Sequence, residues 1–364
     1  MQKYTNKESC RVCGGALQEI LDLKKQPLAN SYHKGEKLDE FPLKLNVCKN
    51  CNHAQLSVVV DPELMFKEYL YVSGTSKTLH KYFENFVKLT LQYSKRGKVL
   101  DIACNDGTQL DKFNFAGWET YGVDPAENLL DKSSRRSIVV CDYWSEDVAA
   151  KFETHFNVII AQNVFAHVDD IHGFLRACLP VMDDNSHLFI QTSQADMILN
   201  NEFDTIYHEH LSFFNTKSMK ICANKNGFSL VDVLKTDVHG GSYVFVLRKG
   251  EHSETMSEIY IKKEEHDGLY NMETYYKYAK KCKQIASKLK REINKYKKKG
   301  YKVVGYGAAA KGNTFLNFAQ IDLDYIVDDN ELKWDLYTPG RNILIKSSQA
   351  LKEEDSEKLV IIPL

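Results

Sequence analysis

The sequence predicts an α/β protein in three parts: a small metal-stapled module, a doubly wound nucleoside-binding unit, and a smaller second unit of the same kind. Three observations carry this. Two Cys-x-x-Cys pairs, Cys10/Cys13 and Cys48/Cys51, lie near the start. An apolar run over 99–103 leads through a turn into a helical stretch, and a second run over 118–123 ends in Asp124. The same order recurs after Lys302, and Asp328 lies as far from Lys302 as Asp124 lies from Lys98. A chain of 364 residues, 43% hydrophobic and 27% charged, can bury two or three cores. The expected divisions are 1–70, 71–250 and 251–364.

The net charge of −1 offers no electrostatic footprint for nucleic acid or an anionic membrane. The basic run over 288–299 reads as the solvated face of a helix. No apolar stretch nears the ~20 residues of a membrane span. The opening MQKYTNKESC has no apolar signal core, and nine cysteines, an odd number, suit a reducing cytoplasm better than a disulfide framework.

In the first part, paired thiolates two residues apart let each of two turns present both sulfurs to one tetrahedral ion, as structural zinc requires. The expected ligands are Cys10, Cys13, Cys48 and Cys51. Gly14 and Gly15, with Asn50 and Asn52, suit the tight turns, and a small hairpin accounts for the long spacer between the pairs. His33 and His53 are alternative ligands, but four sulfurs suffice and close the site to water.

In the second part, 99–103 reads as a buried parallel strand and 104–107 as the turn into a helix that Asn105 or Asp106 caps. Gly107 allows close approach of a ligand. Asp124, ending the next strand, is placed to accept both ribose hydroxyls of a nucleoside. Asp142-Tyr143-Trp144 follows a short strand over 138–140, where an adenine can be met by edge and face. Strand 157–161 delivers Gln162 and Asn163 to the same sheet edge. The turn is acidic and lacks the G-x-G-x-x-G run that cradles a pyrophosphate. S-adenosylmethionine has no phosphate and carries positive charge, which Asp101 and Asp106 complement.

Beyond this unit, residues 251–299 read as long helices joining two lobes, and 302–307 as a strand and turn. Lys311-Gly312-Asn313-Thr314 then opens a helix whose N-terminus attracts phosphate. Two short stretches hold the densest titratable chemistry: Asn163-Val164-Phe165-Ala166-His167 and Tyr207-His208-Glu209-His210.

The cysteine pairs, the acidic turn, these two stretches and GYGAAAKGN at 305–313, in that order, resemble the sugar C-methyltransferases. The resemblance runs from Cys10 to Pro339. It implies a class I methyltransferase (Rossmann-like) domain between a zinc-binding module and a smaller Rossmann-like domain. It places S-adenosylmethionine against Asp101, Ala103, Asn105, Asp106, Gly107, Asp124, Asp142, Tyr143 and Asn163. Ala103 stands where the family has glycine. The substrate it implies is a nucleotide-linked 4-keto-hexose methylated at carbon 3. Tyr207, Glu209, His210 and His167 then line the pocket, with Tyr71 and Ser73 of the stretch 71–76. His239, Gly307, Lys311 and Asn313 hold the rest of the substrate. The C-terminal lobe is shorter than the family's usual one.

Carbon has no lone pair to offer a methyl donor until a C–H proton leaves, so the site needs a base and a donor to the resulting enolate oxygen. His210 suits the base, with His167 or a phenolate as alternatives. Glu209 orients it, and Tyr207 donates to the keto oxygen or relays a proton. An O- or N-methyltransferase, a dinucleotide oxidoreductase and a zinc-stapled nucleotide-sugar-binding protein are the competing readings. The sequence leaves the oligomeric state open.

Overall fold

The spacer between the cysteine pairs folds as the expected hairpin. Strand Leu17–Gln26 pairs antiparallel with Phe41–Cys48, which pairs with Ala54–Leu56. In this computed structural model residues 3–66, 74, 77–192, 196–253 and 256–364 are described. The fourth strand of this sheet comes from far along the chain: Ser212–Phe213 pairs with Ala54 and Gln55. The zinc module is therefore completed by the two residues that follow Leu211.

The central sheet has seven strands in the spatial order Phe228–Thr236, Ser242–Lys249, His187–Thr192, Val158–Gln162, Lys98–Ile102, Glu119–Val123, Ile138–Val140. Ser242–Lys249 runs antiparallel to both neighbours, while the other pairings are parallel. This is the Rossmann-like methyltransferase arrangement that the resemblance implies. The strand order reverses between Lys98–Ile102 and Val158–Gln162, and a crevice opens at the carboxyl ends of strands at such a switch point. Asp124, Asn163 and His167 all follow strands that end on this edge.

The first strand ends at Ile102, one residue short of the expected 103, because Ala103 turns into the left-handed region at φ 65°. That conformation costs an L-residue about 1–2 kcal/mol, so alanine here holds the backbone of the glycine it stands for. Gly107, at φ 76°, holds the N-cap position of the helix Thr108–Phe115, while the Asp106 carboxylate accepts the helix's first amide, the Thr108 N–H, at 3.3 Å; Asn105 takes no such part. A Cβ on Gly107 would lie 2.7 Å from the Ser133 Cα, so the close approach that requires glycine is to backbone.

The helices Ser257–His266 and Met272–Lys298 lead to a parallel sheet ordered Ile345–Ser347, Ile326–Asp328, Lys302–Tyr306, Leu359–Pro363. Its second strand starts at Ile326 rather than 323, since Asp324 exchanges backbone and side-chain hydrogen bonds with Val303. The internal echo holds in detail. Ala103 and Gly307 each donate an N–H to the end of the next strand, at Val123 and Val327 (2.7 Å each). Asp124 and Asp328 each accept an N–H from the preceding turn, Asn105 at 2.8 Å and Ala308 at 2.7 Å.

Burial ties the parts together. Cys10, Cys48 and Cys51 share one core with Leu100, Phe165 and Met219. The other face of the module, with Leu21, Leu43 and Leu45, packs with Tyr275, Tyr278 and Ile326. The module is thus wedged against both lobes. No helix among the described residues is long and apolar enough to cross a membrane.

Candidate active site

The four N-terminal thiols converge, with their sulfurs all within 4.8 Å of one another. The Sγ atoms of Cys10 and Cys51 are 3.5 Å apart, and those of Cys13 and Cys48 are 3.4 Å apart. Tetrahedral zinc with Zn–S near ~2.3 Å spaces its sulfurs by about 3.8 Å, so shifts of a few tenths of an ångström that open these two close pairs bring the cluster to the spacing of one ion. The hydrogen bond from Cys51 holds the Cys10 thiol down to about 5, while the Cys51 thiol is pushed up by the same contact. His53 is turned away from the cluster: its Nε2 meets the Ser212 Oγ at 3.3 Å and its ring lies against Phe214.

At the switch point, the Asp124 carboxylate is held by backbone amides of two turns, Asn105 at 2.8 Å and Ala126 at 2.9 Å. Asp101 is enclosed beside it; burial first, then the Asp124 charge, pushes its carboxyl well above the usual range. A cation brought to this pair would relieve both effects. Asp106 takes a different direction, bonding the Thr108 hydroxyl (2.7 Å) and Lys132 (3.1 Å) and facing Gly74. Asp142 and Tyr143 follow the strand Ile138–Val140 on the same sheet edge, Tyr143 exposed and Asp142 half-buried and paired with Lys151 at 3.1 Å. Asn163 sits at φ 54°, and its Oδ1 is buried with no partner among the described residues. These positions suit a nucleoside-bearing cation: an amide-held carboxylate for ribose, an open edge for adenine, and an acidic floor.

The two titratable stretches meet. Leu211 N–H donates to the Ala166 carbonyl (2.8 Å), and the rings of His167 and His210 lie 5.1 Å apart, centroid to centroid. The His210 Nδ1 lies 2.8 Å from the Thr205 carbonyl, which can only accept, so Nδ1 carries the proton. Nε2 is then the acceptor, 2.9 Å from the Tyr207 hydroxyl. This is a phenol–imidazole pair with its tautomer fixed by the backbone. Burial pushes His167 down to about 4, so its imidazole is neutral at physiological pH.

Glu209 is buried, and burial raises its carboxyl to about 7 despite the Asn30 amide, which donates to Oε1 at 2.6 Å. Sequence reasoning missed Asn30, which lies in a loop of the zinc module with no motif to mark it. His208 belongs to the structure instead: its Nε2 meets the Pro42 carbonyl and its ring packs edge-on against Phe41.

The loop that carries Asn30 also reaches the C-terminal lobe. Tyr32 donates to the Ala308 carbonyl (2.5 Å), and Asn313 donates to the Ala29 carbonyl (2.9 Å), leaving its own Oδ1 buried without a partner among the described residues. Gly307, at φ 95°, and Lys311 flank this contact. A Cβ on Gly240 would lie 3.7 Å from the Lys311 Nζ, so the hairpin turn containing residue 239 reaches the same lobe. Tyr71, Ser73 and the side chain of His239 lie outside the described residues.

Three family models match in chain order. Residues 10–66 match a zinc binding domain, 76–233 a methyltransferase domain and 237–364 a C-methyltransferase C-terminal domain. The chain is similar to C-methyltransferase NovU of Streptomyces niveus, 27% identical over 363 residues, covering 94% of this chain and 86% of that protein. It is 28% identical over 108 residues to the mitochondrial ubiquinone biosynthesis O-methyltransferase of Homo sapiens, covering 26% of this chain and 28% of that one. Among solved structures, magnesium protoporphyrin IX methyltransferase (ChlM) from Synechocystis PCC 6803 with bound SAM aligns at a TM-score of 0.36 and 12% identity, covering 48% of this chain and 79% of that one.

Proposed function

We propose that this chain, whose three segments match a zinc binding domain, a methyltransferase domain and a C-methyltransferase C-terminal domain, methylates carbon 3 of a nucleotide-linked 4-keto-hexose. S-adenosylmethionine supplies the methyl group, and zinc staples the first module. The observation that carries the substrate reading is the Tyr207–His210 pair, set beside the carboxyl edge of the central sheet with its basic nitrogen directed at a phenol. Base and acid are adjacent, as enolate formation next to a ketone requires.

In this reading the Tyr207 hydroxyl turns from Nε2 to the keto oxygen. One motion then gives the developing enolate a donor and frees Nε2 to take the C–H proton. The Nδ1–H bond to the Thr205 carbonyl keeps the ring oriented and stabilises the imidazolium that forms. Glu209, near neutrality and beside His210, holds or returns a proton at Oε2 while Asn30 fixes Oε1. His167, a neutral imidazole, contacts the sugar, and Tyr71 and Ser73 complete its pocket. Asp124 takes the donor's ribose, with Asp101, Ala103, Asn105, Asp106 and Gly107 around its amino-acid end and Asp142, Tyr143 and Asn163 around its adenosine.

The nucleotide end of the sugar lies on the turn at Gly307 and the start of helix Ala310–Ala319, where backbone N–H groups and Lys311 attract its phosphates. Asn313 and His239 close this side. The divisions 1–70, 71–250 and 251–364 then correspond to staple, methyl-donor domain and nucleotide-sugar lobe. Nine free cysteines support a reducing, cytoplasmic setting. The test is mass spectrometry and carbon NMR of products from a panel of nucleotide-linked 4-keto-hexoses. A new methyl bonded to ring carbon is expected, and a methyl on oxygen or nitrogen would overturn the reading.

A further inference from the structure

The N-terminal module holds a buried guanidinium, that of Arg11, whose hydrogen bonds go to carbonyl and carboxylate oxygens rather than to the thiols. Arg11 lies inside the first knuckle, between Cys10 and Cys13, with its side chain 2% exposed. Its Nη1 donates to two carbonyls, Leu56 at 3.2 Å and Leu211 at 3.1 Å. Its Nε donates to Asp169 at 3.1 Å. The Arg11 backbone is fixed as well, its N–H to the Gln55 Oε1 (2.8 Å) and its carbonyl by the His172 Nε2 (2.9 Å).

Leu211 is the residue after His210, and its N–H is bonded to Ala166, the residue before His167. Leu211 is thus held at both ends: its N–H, in the peptide that follows His210, by the Ala166 carbonyl, and its own carbonyl by the Leu56 N–H (3.0 Å) and the Arg11 guanidinium. The second knuckle grips the next residue, through His53 on the Ser212 Oγ and the pairing of Ser212 with Gln55. Asp169 links the same guanidinium to the segment that leaves His167.

We infer that Arg11 is a positioning residue for methyl transfer, tying the metal-stapled knuckle to Leu211, the residue that follows His210 and docks on Ala166 beside His167. The role rests on the histidine pair being the reacting centre. The zinc module acts in this way as the rigid mount of the site, with pairing to a strand giving a precision that a free loop lacks. Arg11 touches no reacting atom. Its effect comes through geometry, where a displacement of about 1 Å can cost roughly 100-fold in rate.

The test compares zinc-loaded wild type with Arg11→Lys, which keeps a buried cation, and Arg11→Met, which removes it. Nitrogen NMR of the His210 ring, assigned with His210→Asn, reads the tautomer without any substrate. Wild type is expected to show the Nδ1–H form, Arg11→Met a mixture of tautomers, and Arg11→Lys an intermediate state. With thymidine-diphosphate-linked 4-keto-6-deoxyglucose as probe, kcat should fall at least ~10-fold in Arg11→Met and less in Arg11→Lys. Zinc content and S-adenosylmethionine affinity should stay within twofold.

An unchanged ring spectrum in both variants would overturn the inference. So would loss of zinc or of S-adenosylmethionine binding in step with activity, since Arg11 would then serve only the fold. A wild type inactive on every 4-keto-sugar would count against the proposed substrate, while the ring spectra would still decide the role of Arg11.

Discussion

Replacing Glu209 by glutamine should stabilise the substrate-free protein in alkaline but not in acidic solution. The carboxyl is buried beside Asn30, and burial raises it to about 7 from an ordinary 4.5. A carboxyl whose folded pKa is raised binds more protons folded than unfolded between those two values. Its favourable contribution is therefore complete below about 4.5 and is lost as pH rises through about 7. The difference of about 2.5 pH units corresponds to a cost of ~3 kcal/mol at pH 8 for keeping the ionised form buried, against under ~1 kcal/mol at pH 5. Glutamine removes the charge and keeps an oxygen for the Asn30 amide. Glu209→Gln should then gain ~3 kcal/mol over wild type at pH 8 and little at pH 5 in denaturant unfolding followed through the central domain. Methyl transfer should fall in the same variant. Equal stability of the two proteins at both pH values would refute the placement of a near-neutral carboxyl at this site.

Two further outcomes follow from the same geometry. Asp124→Ala removes the charged acceptor for ribose and should weaken S-adenosylmethionine binding by roughly 2–4 kcal/mol; unchanged calorimetric affinity in the folded variant would contradict the assignment. Chelation of zinc should first expose amides of Ala54–Leu56 and Ser212–Phe213 to hydrogen exchange, while Lys98–Ile102 and Val158–Gln162 stay protected. Uniform protection after metal removal would show that the ion does not hold this junction.

Features built from neighbouring residues were legible in the sequence. The Cys-x-x-Cys pairs, the hairpin between them, the strand ending at Asp124 and the echo at Asp328 each follow from local spacing. So does the grouping of Tyr207, Glu209 and His210, although their roles rest on chemistry and resemblance. The features that join modules were not legible. Asn30 on Glu209, Tyr32 on Ala308 and Arg11 on Leu211 link positions far apart in the chain, and each uses a residue type common in loops. The strand Ser212–Phe213 is too short for periodicity to mark, and its partner is fixed only when Leu211 docks on Ala166. Ala103 shows the converse: the glycine signal is missing, yet the left-handed backbone persists because Asp124 and Val123 hold the turn's amides.

The most direct test of the account is solvent-deuterium incorporation at carbon 3 of a nucleotide-linked 4-keto-hexose, by wild type and by His210→Asn, each saturated with S-adenosylhomocysteine so that transfer cannot follow. Wild type should exchange that proton, and His210→Asn should exchange it at least ~100-fold more slowly with sugar and cofactor affinities retained. Undiminished exchange in the folded variant would contradict His210 as the base, and absence of exchange in wild type would contradict enolate formation itself.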